Sequence, residues 1–149
     1  MAKTWSFRSA GVLLRNGKIL VQRERDGEEY ALPGGSIEFG ETSKQALVRE
    51  YAQETGADVS CGRLLWIEES FRRDGGKKTS ELNFYYMVEL SGEGIPDTGK
   101  FMPQKDNERV LYVWLPLENI DKVKIYPEFL GNEILNLEKY PKHFISNYC

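Results

Sequence analysis

A chain of 149 residues with 40% hydrophobic side chains, 29% charged side chains and 6 prolines has the make-up of one globular domain with a single core. Its formal charge of −3 argues against the broad basic surface of a general nucleic-acid binder. The same charge leaves phosphate substrates open, because a bound metal ion reverses the local field.

The segment MAKTWSFRSAGVLL lacks the long apolar core of a signal peptide, and no apolar run approaches the length of a membrane span, so the expected location is the cytoplasm. Cys61 and Cys149 form neither a disulfide framework nor a CxxC metal pair; an unpaired, buried Cys61 and a frayed Cys149 in a reducing compartment are expected. With no linker, repeat or low-complexity segment, residues 1–149 are expected to form a single domain.

In chain order, the apolar-rich residues Trp5 to Leu14 lead to Asn16-Gly17, a type I′ hairpin signal, with Lys18 to Gln22 as the returning strand. A polar loop, Glu24 to Glu29, leads into Tyr30-Ala31-Leu32-Pro33 and a glycine pair, Gly34-Gly35. Thr42 and Gln45 spell a T-x-x-Q capping box that starts a helix, and Gly56 marks its C-terminal cap. The expected apolar stripe of that helix is Leu47, Val48, Tyr51 and Ala52. Val59 to Phe71 and Ser80 to Leu90 are strand-like runs joined by a turn at Asp74-Gly75-Gly76. In the second run Leu82, Phe84, Tyr86 and Val88 alternate with Glu81, Asn83, Tyr85 and Met87, which predicts two distinct faces. A glycine-rich stretch from Ser91 to Gly99 opens a long loop, Val110 to Trp114 is a further strand closed by Pro116, and Pro127 is expected to start a second helix carrying Phe129, Leu130, Ile134, Leu135 and Leu137. Strands, helix, strands, helix predict an α/β sandwich with a mixed sheet.

The chemistry is concentrated between Gly35 and Gly56. Glu50 and Glu54 stand four residues apart on the predicted helix, so their carboxylates leave one face a turn apart. Gly34, Gly35 and Gly40 let the preceding backbone bend tightly. Paired carboxylates beside a glycine-rich loop suit a hard divalent cation shared with substrate phosphates. Gln53 is an amide where a third carboxylate would complete the cluster.

The register Gly35, Glu41, Arg49-Glu50, Glu54, Gly56, approached by Leu-Pro-Gly-Gly, resembles the Nudix box of the MutT-like hydrolases. The resemblance implies the Nudix fold, an α/β/α sandwich with a central mixed β-sheet. It also implies a Mg2+- or Mn2+-dependent attack of water on a diphosphate joined to another moiety. Carried onto this chain, Glu50, Glu54 and Arg49 become the catalytic group and Glu50, Glu54, Gln53 and Glu41 the metal set, with Arg49 orienting Glu50. Gly34 and Gly35 would hold the loop against the helix at the substrate. Gln53 departs from the usual adjacent glutamates and implies weaker metal affinity or fewer metals, and Tyr51 and Ala57 replace aliphatic residues.

For the rest of the substrate, Arg23 and Arg25 are the expected phosphate contacts because they follow the strand leading to the glycine loop, whereas Arg72, Arg73, Lys77 and Lys78 read as surface charges. Trp5, Phe7, Tyr30, Phe71, Tyr85 and Tyr86 read mainly as packing. Glu81, a charge inside an apolar strand, calls for a reason and is a further candidate, as are Glu68 and Glu69 by resemblance. His143 is expected on the surface. The expected partner is a small nucleotide-type molecule; no membrane partner is expected, nucleic acid is disfavoured, and a homodimer is left open. The alternatives are a catalytically weakened nucleotide-binding or sensing module and, behind it, an RNA 5′-end pyrophosphohydrolase.

Overall fold

The computed structural model describes residues 3–92 and 94–149. Lys3–Arg15 (β1) and Lys18–Glu24 (β2) form an antiparallel hairpin. Its turn places Asn16 at φ 50° and Gly17 at φ 75°, the left-handed pair that a type I′ turn demands. Tyr30–Ala31 (β3) and Gly34–Ser36 (β4) are short; β4 pairs antiparallel with β1, setting Arg8 opposite Ser36 and Ala10 opposite Gly34. The helix Ser43–Thr55 (α1) follows. Thr42 accepts from the Gln45 N–H while the Gln45 side chain accepts from the Thr42 N–H, and Gly56 closes the helix at φ 75°.

The long strands Val59–Asp74 (β5) and Lys77–Leu90 (β6) pair antiparallel, while β6 runs parallel to β1. Met102–Pro103 (β7) pairs with Val110–Pro116 (β8), which lies against β2. A 3₁₀ turn, Leu117–Lys122, leads to Ile125–Tyr126 (β9), then to the short helix Leu130–Ile134 (α2) and Lys142–Asn147 (β10). The parallel pairs β1–β6, β3–β9 and β5–β10 among antiparallel neighbours make the sheet mixed, as expected.

Alternation along the strands divides the core between the two faces of the sheet. Leu13, Leu20, Tyr86, Val88 and Trp114 pack with Leu47 and Tyr51 of α1. Val12, Ile19, Val21, Trp66 and Tyr85 pack with Ile120, Leu130 and Ile134 beneath the 3₁₀ turn and α2. Helical elements therefore cover both faces, which is the α/β/α arrangement of the Nudix fold.

Four local expectations change. The buried stripe of α1 is Ala46, Leu47 and Tyr51, continuing to Glu54 and Thr55; Val48 and Ala52 face outward. The second helix is only Leu130–Ile134, and Leu135 is exposed, because the Phe129 ring stacks on Phe144 at 3.8 Å and the chain turns back toward the sheet. The last residues are not frayed. Residues 142–147 form β10, parallel to β5, and bring His143 to an exposed contact with Glu69 (2.8 Å). Cys61 is half-buried rather than fully buried, and both cysteines are free.

Candidate active site

One guanidinium organises the acidic centre. Arg49 donates from Nε to Glu41 Oε2 (3.1 Å) and from Nη2 to Glu41 Oε1 (2.7 Å), a bidentate fork. Nη2 also donates to the Ser36 carbonyl (3.0 Å), which ties α1 to β4. Nη1 donates to Glu50 Oε1 (2.8 Å) and Gln53 Oε1 (3.2 Å). Both oxygens of Glu41 are therefore taken by Arg49, and Oε1 accepts the Glu38 N–H as well (2.8 Å). Arg49, with the Glu38 N–H behind it, holds the Glu41 carboxyl below its ordinary range.

The glycines act by what they lack. A Cβ on Gly35 would fall inside the Glu50 carboxylate, and one on Gly34 would lie 2.6 Å from the Ala10 Cα. Glycine thus lets Glu50 lie across the β4 backbone while β4 closes on β1.

Glu54 is the unusual member. Only 5% of it is exposed, and its Oε2 has no hydrogen-bond partner among the described residues. Burial first, then the neighbouring Glu50 carboxylate and the charge of Asp106, push the Glu54 carboxyl up to about 9, with Arg8 opposing the rise. A buried carboxylate oxygen without a donor, beside a second carboxylate, is costly in a bare protein and well matched to a cation. The oxygen donors also suit magnesium or manganese, so the residues fit a hard divalent ion. Among the described residues no three His, Cys, Asp or Glu side chains are grouped to hold an ion. Gln53 rests on Arg49, and Glu41 is occupied in supporting Arg49.

Asp106 reaches this centre from a distant part of the sequence. The Lys105 N–H donates to the Glu54 carbonyl (2.8 Å), docking the β7–β8 loop on the end of α1.

Beside the acidic centre, β1, β5 and β6 line a cavity of about 290 Å³ whose walls include Arg8, Arg72, Glu81, Asn83, Tyr85 and Tyr126. Glu81 has the reason that its place in a strand required: its Oε1 accepts from Arg72 Nε (2.9 Å), and Arg8 approaches its Oε2. Arg72 packs beside the rings of Tyr126 (4.9 Å) and Tyr148 (4.8 Å), which touch each other edge to face. Glu68, fully buried behind the wall, accepts from Asn83 Nδ2 (3.2 Å), Tyr85 Oη (2.8 Å) and Tyr148 Oη (2.8 Å). A second cavity of about 600 Å³ adjoins the first and shares Ala31, Arg72 and Tyr126 with it.

The structure thus gathers Gly34, Gly35, Glu41, Arg49, Glu50, Gln53 and Glu54 into one site, with Glu81 in the adjoining cavity. Arg23 and Arg25 are placed differently. Arg23 donates to the Gly27 carbonyl (3.2 Å) under the Phe101 ring, and both Arg25 contacts go to the Glu108 carbonyl (3.2 and 2.8 Å). Sequence reading did not single out Arg8, Asn83, Tyr126 or Asp106, and it took Arg72 for a surface charge. The polar face of β6, with Glu81 and Asn83 in alternation, was the one available signal for this cavity.

The model of the NUDIX domain matches residues 5–132. An ADP-ribose pyrophosphatase of Methanocaldococcus jannaschii is 37% identical over 67 residues, which are 43% of this chain and 40% of that protein. An 8-oxo-dGTP diphosphatase of Haemophilus influenzae is 32% identical over 97 residues, 61% of this chain and 69% of that protein. The chain spans less than half the length of several other curated relatives. The crystal structure of the MutT protein from Bacillus halodurans shares the fold, with a TM-score of 0.65 over 93% of this chain and 89% of that one at 17% identity.

Proposed function

The chain belongs to the NUDIX domain family, and from that premise we propose that it hydrolyses a diphosphate linkage in a nucleoside di- or triphosphate or a nucleoside-diphosphate conjugate, with Mg2+ or Mn2+. The observation that carries the reading is the Glu50–Glu54 pair: one carboxylate is held by Arg49 and the other is buried with an unpartnered oxygen. Glu50 and Glu54 would hold the ion, with Arg49 fixing Glu50 and Glu41 fixing Arg49. When bound, a divalent ion neutralises phosphate charge and acidifies water, which is what an anionic diphosphate needs.

The remaining residues bind and orient. The cavities of about 290 and 600 Å³ have room for a nucleoside with a further substituent. Relatives named for ADP-ribose and 8-oxo-dGTP support a nucleotide-type substrate. Among the described residues no helix is long and apolar enough to cross a membrane, and a cytoplasmic location is part of the proposal.

One observation favours a second reading, a nucleotide-sensing module with weakened catalysis: Gln53 brings an amide to the site and spends its oxygen on Arg49. A nucleotide panel with Mg2+ or Mn2+, with products identified to locate the cleaved bond, separates the two. Turnover supports the hydrolase; ligand-induced thermal stabilisation without turnover supports the sensor.

A further inference from the structure

Register places Arg8 at a seam. On one side it pairs with Ser36, whose carbonyl fastens Arg49; on the other it pairs with Asn83 at the cavity. Its side chain is 39% exposed, lines the smaller cavity and is felt electrostatically by Glu54.

The neighbouring guanidiniums of Arg49 and Arg72 each already hydrogen-bond a carboxylate. Arg49 makes five hydrogen bonds. Arg72 donates from Nε to Glu81 and packs beside the rings of Tyr126 and Tyr148. Arg8 makes no side-chain hydrogen bond with the described residues. Its Nε stands 3.8 Å from Glu81 Oε2, too far for a hydrogen bond. Glu81 already accepts from Arg72 (2.9 Å) and from the Ser6 hydroxyl (3.4 Å), so it does not need Arg8. A guanidinium with unspent donors, at the boundary between two carboxylates and a polar cavity, is suited to bidentate binding of phosphate.

Resting on the hydrolase reading, we propose that Arg8 grips the phosphate groups of the substrate, spanning the seam between the Glu50–Glu54 pair and the cavity that receives the remainder. Gln53 makes this cation more valuable. An amide there contributes no charge to hold metal ions, so less positive charge reaches the phosphates from ions, and Arg8 supplies some of it from the protein.

The test is binding of the non-hydrolysable α,β-methylene analogues of ADP-ribose and dGTP, in Mg2+, at low and high salt, by the wild type, Arg8→Gln and Arg8→Lys. The expected result is a roughly 10- to 100-fold weaker Kd for Arg8→Gln at low salt, the loss of a charged hydrogen-bonding partner. Its affinity should also depend less on salt than that of the wild type. Arg8→Lys, which keeps charge but not the fork, should fall between the two. Melting temperatures of the free proteins show whether each variant is folded, and Arg8→Lys serves if Arg8→Gln is not. Wild-type affinity in both variants overturns the assignment of Arg8 alone. So does weakened binding with the wild-type salt dependence retained, which is the mark of a structural role. Failure of the wild type to bind either analogue overturns this assignment and the hydrolase reading together.

Discussion

Arg49 couples Glu41 to Glu50: the guanidinium grips both oxygens of Glu41 with two of its nitrogens and presents the third to Glu50 Oε1 at 2.8 Å. Glu50 is thereby aimed by a residue that is itself held from behind. Arg49→Lys keeps the charge and loses the fork, since one ammonium cannot reach Glu41, Ser36 and Glu50 together. Hydrolysis should fall by about 10- to 100-fold, the usual cost of removing a group that orients a metal ligand. Thermal denaturation should show a lower melting temperature, because Glu41 loses the fork that takes both of its oxygens.

Adjacent glycines should give separable phenotypes. Gly35→Ala meets the end of a flexible side chain, Glu50, whereas Gly34→Ala meets the backbone of Ser9 and Ala10. Gly35→Ala is expected to fold, with a melting temperature near that of the wild type and metal affinity reduced by about 10-fold or more. Gly34→Ala is expected to lose about 3 kcal/mol or more of stability, because β4 must leave β1. Denaturant titration combined with metal titration distinguishes the two.

Much of this was written locally in the chain. Asn16-Gly17, the Thr42–Gln45 box and Gly56 name their own turns and caps, and the spacing of Arg49, Glu50 and Glu54 is a property of one helix. The cavity was not legible, because Arg8, Arg72, Glu81 and Tyr126 come from four strands and meet only through register. Residues 142–147 carry little apolar content to announce a strand; Phe144 finds its partner in Phe129, which no local pattern reveals. For the same reason Arg23 and Arg25, close in sequence to the glycine loop, turn out to be bound to the carbonyls of Gly27 and Glu108.

Glu54 should make the metal-free protein sensitive to pH. With its carboxyl raised from 4.5 to about 9, the folded state retains a proton that the unfolded chain loses as pH rises through this window. The folded state then binds more protons than the unfolded state, so stability falls with increasing pH across that interval. Metal-free wild type should lose melting temperature across the window, and Glu54→Gln should lose less. Magnesium binding at neutral pH should release about one proton, because the ligand form is the carboxylate. Calorimetry in buffers of different ionisation enthalpy measures that proton directly.

Gln53→Glu tests the cost of the amide. The new carboxylate would sit where Gln53 Oε1 already meets Arg49 at 3.2 Å, adding negative charge beside Glu50. Metal affinity is expected to rise, by about 10-fold at most, since part of the new charge is spent on Arg49. Isothermal titration with Mn2+ gives both the affinity and the number of ions.

The central claim is that Glu50 and Glu54 hold the ion that makes the protein a diphosphate hydrolase. Its most direct test compares wild type with Glu54→Gln, following Mn2+ binding and product formation from ADP-ribose and 8-oxo-dGTP in one experiment. Metal-dependent products from the wild type, with binding and turnover both reduced at least about 100-fold in Glu54→Gln, are predicted. Undiminished Mn2+ binding and hydrolysis in Glu54→Gln would contradict it.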